Sequence, residues 1–448
     1  MQTAPPGPKS KSFGLDFLNQ FKIDPLGTST RLRDDFGDIV LLKFGPADWV
    51  MCNHPDAVKE IFVTNWRKFG KTDRFKQLIG SVDGQGLVVS EGDLWRKQRR
   101  IIQPSFSHEL IIKEHAASIV RETTQHISNW KPGTILNLHD EMTAITLKIA
   151  ARIFFDVDAT SEAKDLADSV STLSRILYQE FSELVPLPDW LPFPSKIEKR
   201  KAIATLDKFI YGVIEKHKKD PELHTVVSML LNARDTEGDG SGMSEVQVRD
   251  EAITLFNAGH DTTATALAWS FYLILRDDQI CEKVNAEIDA ACRNNKPNVG
   301  CLPLVPLTVQ CIKEAMRMYA PVWMIPRQCN ENVEFFGYHL KKGTQLNVSP
   351  YVIQRDPRFF ENPDQFLPDR FSAENEKSIY PNAFFPFGAG PRSCIGREFS
   401  MMEMPLIVAT ISQQFRLDLE ADSKNIGMNP LVSLEPKEPI HFRVKAKH

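Results

Sequence analysis

The chain has 448 residues, with 58 acidic and 54 basic side chains and a formal net charge of -4. That balance offers no long-range attraction to a polyanion, so nucleic acid is excluded as a default partner. Hydrophobic residues at 42% and charged residues at 25% are the proportions of an ordinary globular protein, so a disordered chain is excluded too.

Cysteine usage narrows the class further. Cys52, Cys281, Cys292, Cys301, Cys311, Cys329 and Cys394 are odd in number and form no C-x-x-C pair. A disulfide framework and a four-cysteine zinc site are both disfavoured. The pattern suits a reducing compartment, so a cytoplasmic location is expected. No run of 18 apolar residues occurs, and no transmembrane anchor is expected. The opening MQTAPPGPKSKSFG lacks the apolar stretch of a secretory signal.

In chain order, residues 1–14 read as a proline-rich extended lead-in, because Pro5-Pro6-Gly7-Pro8 cannot be regular helix. Ile39 to Phe44 and Trp49 to Cys52, joined by Gly45-Pro46, read as a hairpin. From about 93 to 240 the pattern is mostly helical, with one clear helix over 139–156. The stretch around 186–195 is an apolar loop punctuated by prolines. Residues 250–276 are apolar on nearly every side, which predicts a helix through the middle of the protein. Gly259 and the threonines at 254, 262, 263 and 265 weaken it, and a weak central helix asks for a reason. A helix over 306–319 and short strands over 333–348 follow. Residues 354–393 then form a long irregular stretch of the kind that is usually functional. A last helix runs from near Cys394 to about Gln413. No repeat or linker divides the chain, so 1–448 reads as one domain.

The most specific segment is Phe387 to Gly396, FGAGPRSCIG. One cysteine sits between glycines directly before a helix, where free N–H groups and the helix end favour a thiolate. The glycines permit tight turns and close approach by a flat group. Arg392 could pair with an anionic arm of that group. A single axial thiolate on haem iron would use these features, and a buried cysteine in a glycine turn would show them too.

The segment does not stand alone. Phe387, Gly390, Arg392, Cys394 and Gly396 complete the pattern F-x-x-G-x-R-x-C-x-G. E-x-x-R occurs as Glu314 to Arg317, and Pro368-Asp369-Arg370-Phe371 follows it, with Asp where Glu is usual. Ala258-Gly259-His260-Asp261-Thr262-Thr263 lies in the central helix, and Trp95 to Arg99 gives W-x-x-x-R. These five motifs, in their order along the chain, resemble those of the cytochrome P450 family in its soluble, bacterial-type form. The resemblance spans nearly the whole chain.

The resemblance implies a mainly α fold with small β-sheets and a long central helix over haem b. It implies Cys394 as the proximal iron ligand, shielded by Phe387, with Gly396 closing the loop. Trp95, Arg99, Arg327 and Arg392 are implied donors to the haem propionates. Residues i and i+4 share a helix face, which suits Trp95 and Arg99 to a joint task. Ala258 and Gly259 are implied to border the haem and leave room for dioxygen. Asp261 and Thr262 resemble the acid–alcohol pair that relays protons to dioxygen, and loss of Thr262 would release reducing equivalents as hydrogen peroxide. An ordinary helix cap would use the same two residue types. Glu314, Arg317 and Arg370 resemble the family's structural charge network.

The expected activity is a monooxygenase that inserts one oxygen atom from O2 into an apolar substrate. About 50 residues follow Cys394, too few for a flavin or iron–sulfur module. Two electrons are therefore expected from a ferredoxin or flavodoxin-type donor with its reductase, met by Lys97, Arg100 and Arg397. A monomer is expected. A peroxygenase or isomerase on the same fold is the alternative, and a non-catalytic haem-binding or sensing protein is a third reading. The intact Asp261–Thr262 pair favours the monooxygenase. Segments 70–90, 175–200, 321–326 and 430–434 are implied to surround the substrate. Their apolar candidates are Phe75, Leu78, Ile79, Leu87, Val322, Trp323, Met324, Leu431 and Val432. A fatty acid, alkane, terpenoid or steroid would suit them. The central-helix motif and the cysteine loop look closer to the fatty-acid and alkane-hydroxylating branches than to camphor-type enzymes. Against a fatty acid, the Gly45–Met51 turn offers no arginine to grip a carboxylate.

Overall fold

The computed structural model describes residues 4–447 apart from 11, 107, 158–160, 184–186, 220–224 and 293–295. The first helices are α1 (Leu15–Ile23), α2 (Pro25–Phe36), α3 (Pro55–Val58), α4 (Asp73–Asp83) and α5 (Gly92–Ile102). Then come α6 (His108–Ile127), α7 (Leu138–Phe155), α8 (Ser161–Ser182), α9 (Pro194–Lys219) and α10 (Val226–Asn232). The rest are α11 (Glu245–Leu275), α12 (Asp278–Cys292), α13 (Pro306–Met318), α14 (Pro350–Ile353) and α15 (Arg397–Gln414). Strands β1 (Ile39–Phe44), β2 (Ala47–Cys52), β3 (Phe69–Gly70), β4 (Ile135–Asn137) and β5 (Ile325–Cys329) are short. So are β6 (Val333–Phe335), β7 (Tyr338–Leu340), β8 (Gln345–Val348), β9 (Phe415–Leu419), β10 (Met428–Pro430), β11 (Leu434–Pro436) and β12 (His441–Ala446). The expected mainly α fold with small sheets is what the chain adopts.

Two compact units interleave along the sequence. The first comprises Met1–Asp73, Lys313–Cys394 and Met428–Glu435. It is built on a five-stranded sheet in the order β1-β2-β8-β5-β3. The β1–β2 hairpin closes with Phe44 opposite Ala47, and Gly45 takes φ 57 in the turn. The lead-in runs against β1, with the Leu41 N–H donating to the Pro6 carbonyl at 2.8 Å. Only glycine fits at position 7, because a Cβ there would lie 2.0 Å from the Leu41 oxygen. Val50, Leu346, Val348, Ile61, Phe62 and Phe335 make the core between sheet and helical turns.

The second unit comprises Arg74–Ile312, Ile395–Gly427 and Pro436–His448. Its axis is α11, buried on nearly every side along most of its length, with Trp269 fully inside. Losing a side chain of that size from such a core costs about 3–5 kcal/mol. The helix starts at Glu245, five residues before the expected Asp250. The opening turn is polar, so apolar patterning misses it. A capping box starts it: Ser244 accepts from the Gln247 N–H and Gln247 reaches back to the Ser244 N–H. Helix α7 packs along α11, and the Thr146 hydroxyl donates to the His260 carbonyl at 3.1 Å. Residues 187–193, in the apolar loop, are irregular as expected.

Candidate functional site

The cysteine loop belongs to the first unit. Gly388 and Gly390 both take positive φ, 68 and 67. The Ser393 N–H donates to Gly390 at 3.0 Å and the Cys394 N–H to Phe387 at 2.8 Å, so the loop is a chain of tight turns. Gly390 is doubly constrained, because a Cβ would lie 1.9 Å from the Phe62 carbonyl oxygen. Of the seven cysteines Cys394 alone is exposed. Cysteine is among the most buried residue types, so an exposed thiol on a rigid turn is an unusual placement. Phe387 is half-buried in the same loop. In this unit the Arg327 guanidinium is 4.8 Å from the Phe62 ring centre, and that of Arg392 is 5.8 Å from the Trp66 ring centre.

Behind the loop lies the charge network. Glu314 and Arg317 are fully buried. Arg317 donates from Nε to Glu314 Oε2 at 2.7 Å and from Nη2 to Oε1 at 2.9 Å, a two-pronged fork. Arg370 adds a third bond to Glu314 at 3.2 Å. Arg317 also reaches the carbonyls of Gln354 and Pro363, both at 2.8 Å. Sequence reasoning missed Gln354. Its buried amide donates to the Met316 carbonyl at 3.0 Å and accepts from the Phe385 N–H at 3.0 Å. Phe385 in turn accepts from the Gly388 N–H at 2.9 Å, so the network is linked to the cysteine turn. Its only sequence signal is one amide after the apolar YVI, which is not specific.

In the second unit, α11 opens at one place. Ala258 is exposed, and Gly259, Asp261 and Thr262 are half-buried, whereas Phe256 and Thr263 are buried. The Thr262 and Thr263 hydroxyls donate back to the carbonyls of Ala258 and Gly259, each at 2.9 Å. The missing Cβ of Gly259 points at Phe154, 3.9 Å away, so the accessible face is that of Ala258 and Thr262. His139 on α7 is pushed below the usual histidine range by burial, opposed by the carboxylates of Asp261 and Asp140. On α5, Trp95 is buried, and Arg99 one turn later donates to Gln103 at 3.0 Å. Gly396 is the N-cap of α15.

The substrate candidates divide. In the first unit two distant segments meet: the Trp323 indole N–H donates to the Leu431 carbonyl and the Leu434 N–H to Pro321, each at 2.9 Å. Val322 and Val432 are exposed beside this clasp, and Met324 and Leu431 are half-buried. In the second unit, Phe75 stacks toward Phe181 at 6.4 Å and Ile79 is half-buried. Leu78 and Leu87, named above among the substrate candidates, are both buried. Positions 184–186 of the expected 175–200 segment lie outside the described residues.

Two of the expected donor contacts have ion-pair partners of their own. Lys97 bonds Asp239 at 3.0 Å, and Arg100 grips Asp235 through two bonds of 2.9 and 2.7 Å. The acidic turn 235–241 therefore already neutralises two of the three cations. Its sequence distance from α5 hid the pairing. Arg397 is exposed.

An exposed thiol on a glycine turn that only an unbranched backbone can make fits a flat iron macrocycle needing one soft axial donor. Arg327 and Arg392, the expected partners of its anionic arms, lie in the same unit as the thiol. Among the described residues no cluster of three or more His, Cys, Asp or Glu could hold a bare metal ion. No described helix is long and apolar enough to cross a membrane.

A model of the family "Cytochrome P450" matches residues 5–443. Cyclooctatin synthase from Streptomyces melanosporofaciens is 31% identical over 85% of this chain and 83% of its own length. Pentalenene oxygenase from Streptomyces avermitilis is 29% identical over 91% of this chain and 90% of its own. The crystal structure of the cytochrome P450DA heme domain superposes with a TM-score of 0.89 at 24% identity, covering 100% of this chain and 99% of that one, and shares the fold. The chain therefore belongs to the cytochrome P450 family, and its activity is the haem-dependent, O2-using monooxygenation of that family.

Proposed function

We propose that this chain, as one P450 domain, hydroxylates an apolar alicyclic substrate of the terpenoid class, and that Cys394 would hold the iron of haem b through its thiolate. The observation that carries the site is the exposure of Cys394 alone among seven cysteines, on a turn that Gly388 and Gly390 hold open. Haem, when bound, supplies the iron centre at which O2 is reduced with two electrons. The chain's own residues do the rest. Phe387 would shield the thiolate side, and Arg327, Arg392, Trp95 and Arg99 would hold the propionates. Ala258 leaves the α11 face open. Thr262 holds a water by its hydroxyl, and Asp261 passes it protons from solvent. Glu314, Arg317 and Arg370 act on structure rather than chemistry.

The substrate class rests on the relatives. Two are named for oxygenating pentalenene and cyclooctat-9-en-7-ol, ring skeletons with few polar atoms. Val322, Met324, Leu431 and Val432 offer apolar contact to such a ring, and no arginine in 45–51 would hold a carboxylate. That moves the reading away from the fatty-acid branch. A ferredoxin or flavodoxin-type donor supplies the electrons, with Arg397 its available contact.

The test is the carbon monoxide difference spectrum of the dithionite-reduced protein, then turnover with a surrogate ferredoxin and reductase. A thiolate-type Soret band that is lost in Cys394→His supports the assignment. Product formation from cyclic terpenes but not from fatty acids supports the substrate class. Haem binding without a thiolate band would overturn the ligand, and product formed only with added peroxide would favour a peroxygenase.

A further inference from the structure

The segment between α3 and β3 has an unusual backbone. Lys59–Thr64 form a π-helix, in which the Asn65 N–H donates to the Glu60 carbonyl at 2.9 Å, one residue further back than in an α-helix. That helix type is rare and is frequent at functional sites. A 3₁₀ turn, Trp66–Lys68, follows it. Phe62 is buried and Trp66 is half-buried.

Each of these two rings carries a guanidinium from a distant part of the chain. Arg327 of β5 lies over Phe62, 4.8 Å from the ring centre, and Arg392 of the cysteine loop lies over Trp66 at 5.8 Å. Both distances fall within the reach, about 6 Å, at which a ring face attracts a cation. Arg67, which is exposed, lies over the Trp66 ring as well, at 4.6 Å. Arg327 and Arg392 are the two arginines of this unit expected at the anionic arms of haem.

The segment is fixed to both elements that carry those arginines. On the β5 side, Phe69 pairs with Cys329 and Gly70 with Gln328. The Asn330 N–H donates to the Lys68 carbonyl at 2.8 Å, and the Asn330 amide to the Arg67 carbonyl at 3.1 Å. On the loop side, Gly390 approaches so closely that a Cβ would lie 1.9 Å from the Phe62 carbonyl oxygen. All of this lies within the first unit. A core alone would need only apolar volume at 62 and 66, whereas a guanidinium over the ring uses the π face. Arginine has a rotamer-rich side chain, and fixing it before the ligand arrives removes part of the ordering cost of binding.

We propose that Phe62 and Trp66 are positioning residues, an aromatic platform that holds Arg327 and Arg392 in place for the haem propionates. Both rings act through the arginines. The platform rests on the reading of Arg327 and Arg392 as propionate partners. A guanidinium beside a propionate offsets its negative charge. Misplacing it leaves that charge closer to unopposed and makes the iron harder to reduce.

The test is the rate of haem transfer from the ferric full-length holoprotein to excess apomyoglobin, with the reduction potential and the urea midpoint read alongside. Trp66→Leu keeps apolar bulk and removes the π face. It should speed haem loss by about three- to thirtyfold and lower the potential. Trp66→Phe, which restores a π face, should stay near the parent, and so should Arg67→Ala. Arg392→Met should speed haem loss by itself, and Trp66→Leu should add nothing to it, because the ring acts through that arginine. Phe62→Leu with Arg327→Met gives the same cycle at the second ring, and it decides the matter if Trp66→Leu fails to fold. A parent-like rate in Trp66→Leu, a Trp66→Phe as fast as Trp66→Leu, an Arg67→Ala as fast as Trp66→Leu, or effects of ring and arginine that simply add would overturn the platform and leave the propionate reading standing. Parent-like rates in both Arg392→Met and Arg327→Met would overturn the propionate reading and the platform with it.

Discussion

Replacing Glu314 by alanine removes the acceptor at the centre of the network. Its two oxygens take bonds from Arg317 at 2.7 and 2.9 Å, from Arg370 at 3.2 Å and from the Leu367 N–H at 3.1 Å. Arg317, with no exposed surface, keeps only carbonyl partners. A buried cation left without its anion costs about 3–5 kcal/mol. An exposed pair such as Arg175–Glu198, at 49% exposure on each side, contributes at most about 1 kcal/mol. Stability of a protein is only about 5–15 kcal/mol, so the Glu314 change is a large fraction and the Glu198 change is not. The assay is urea unfolding by circular dichroism, with the haem-to-protein absorbance ratio read alongside. Glu314→Ala should lower the midpoint strongly and release haem through the loosened Gln354–Phe385–Gly388 chain. Glu198→Gln should do neither. Because removal of both charges leaves nothing unpaired, Glu314→Ala with Arg317→Met should be less destabilised than Glu314→Ala alone. A Glu314→Ala cost below about 1 kcal/mol would refute the reasoning.

Three further outcomes are expected. Gly390→Ala forces a side chain against the Phe62 carbonyl at positive φ, so a loss of about 2 kcal/mol or more and poor haem retention should appear in the same unfolding assay. Glu403, buried in α15, is pushed from 4.5 to about 8 by burial, so its acid form is favoured in the fold and its penalty grows as pH rises from 4.5 to 8. Glu403→Gln should therefore stabilise by up to roughly 3 kcal/mol at neutral pH, and the gain should vanish near pH 4.5 in a pH series of melts. Thr262→Ala leaves the α11 backbone intact while removing the hydroxyl, so consumption of reducing equivalents should persist with product replaced by hydrogen peroxide, read by a coupled peroxide assay.

The local part of this protein is written in short spacings. The pattern around Cys394, the pair Glu314 and Arg317 three residues apart, and Trp95 and Arg99 four apart need only one turn or one helix to be read. Continuous apolar composition was enough to place α11 inside, because a helix without a polar face has no stable surface position. The hairpin of β1 and β2 was legible for the same reason: its turn and both strands lie within 14 residues.

What only tertiary structure decided are contacts between residues far apart in the chain. Gln354 joins the Glu314 network to the cysteine turn, and Gly390 meets the carbonyl of Phe62. The basic run in α5 looked available until Asp235 and Asp239 closed on Arg100 and Lys97. The burial of Leu78 and Leu87 is likewise set by the fold and not by their spacing. In each case the sequence supplies the chemical group, but burial and partner set its charge and reach, and neither exists before the chain folds.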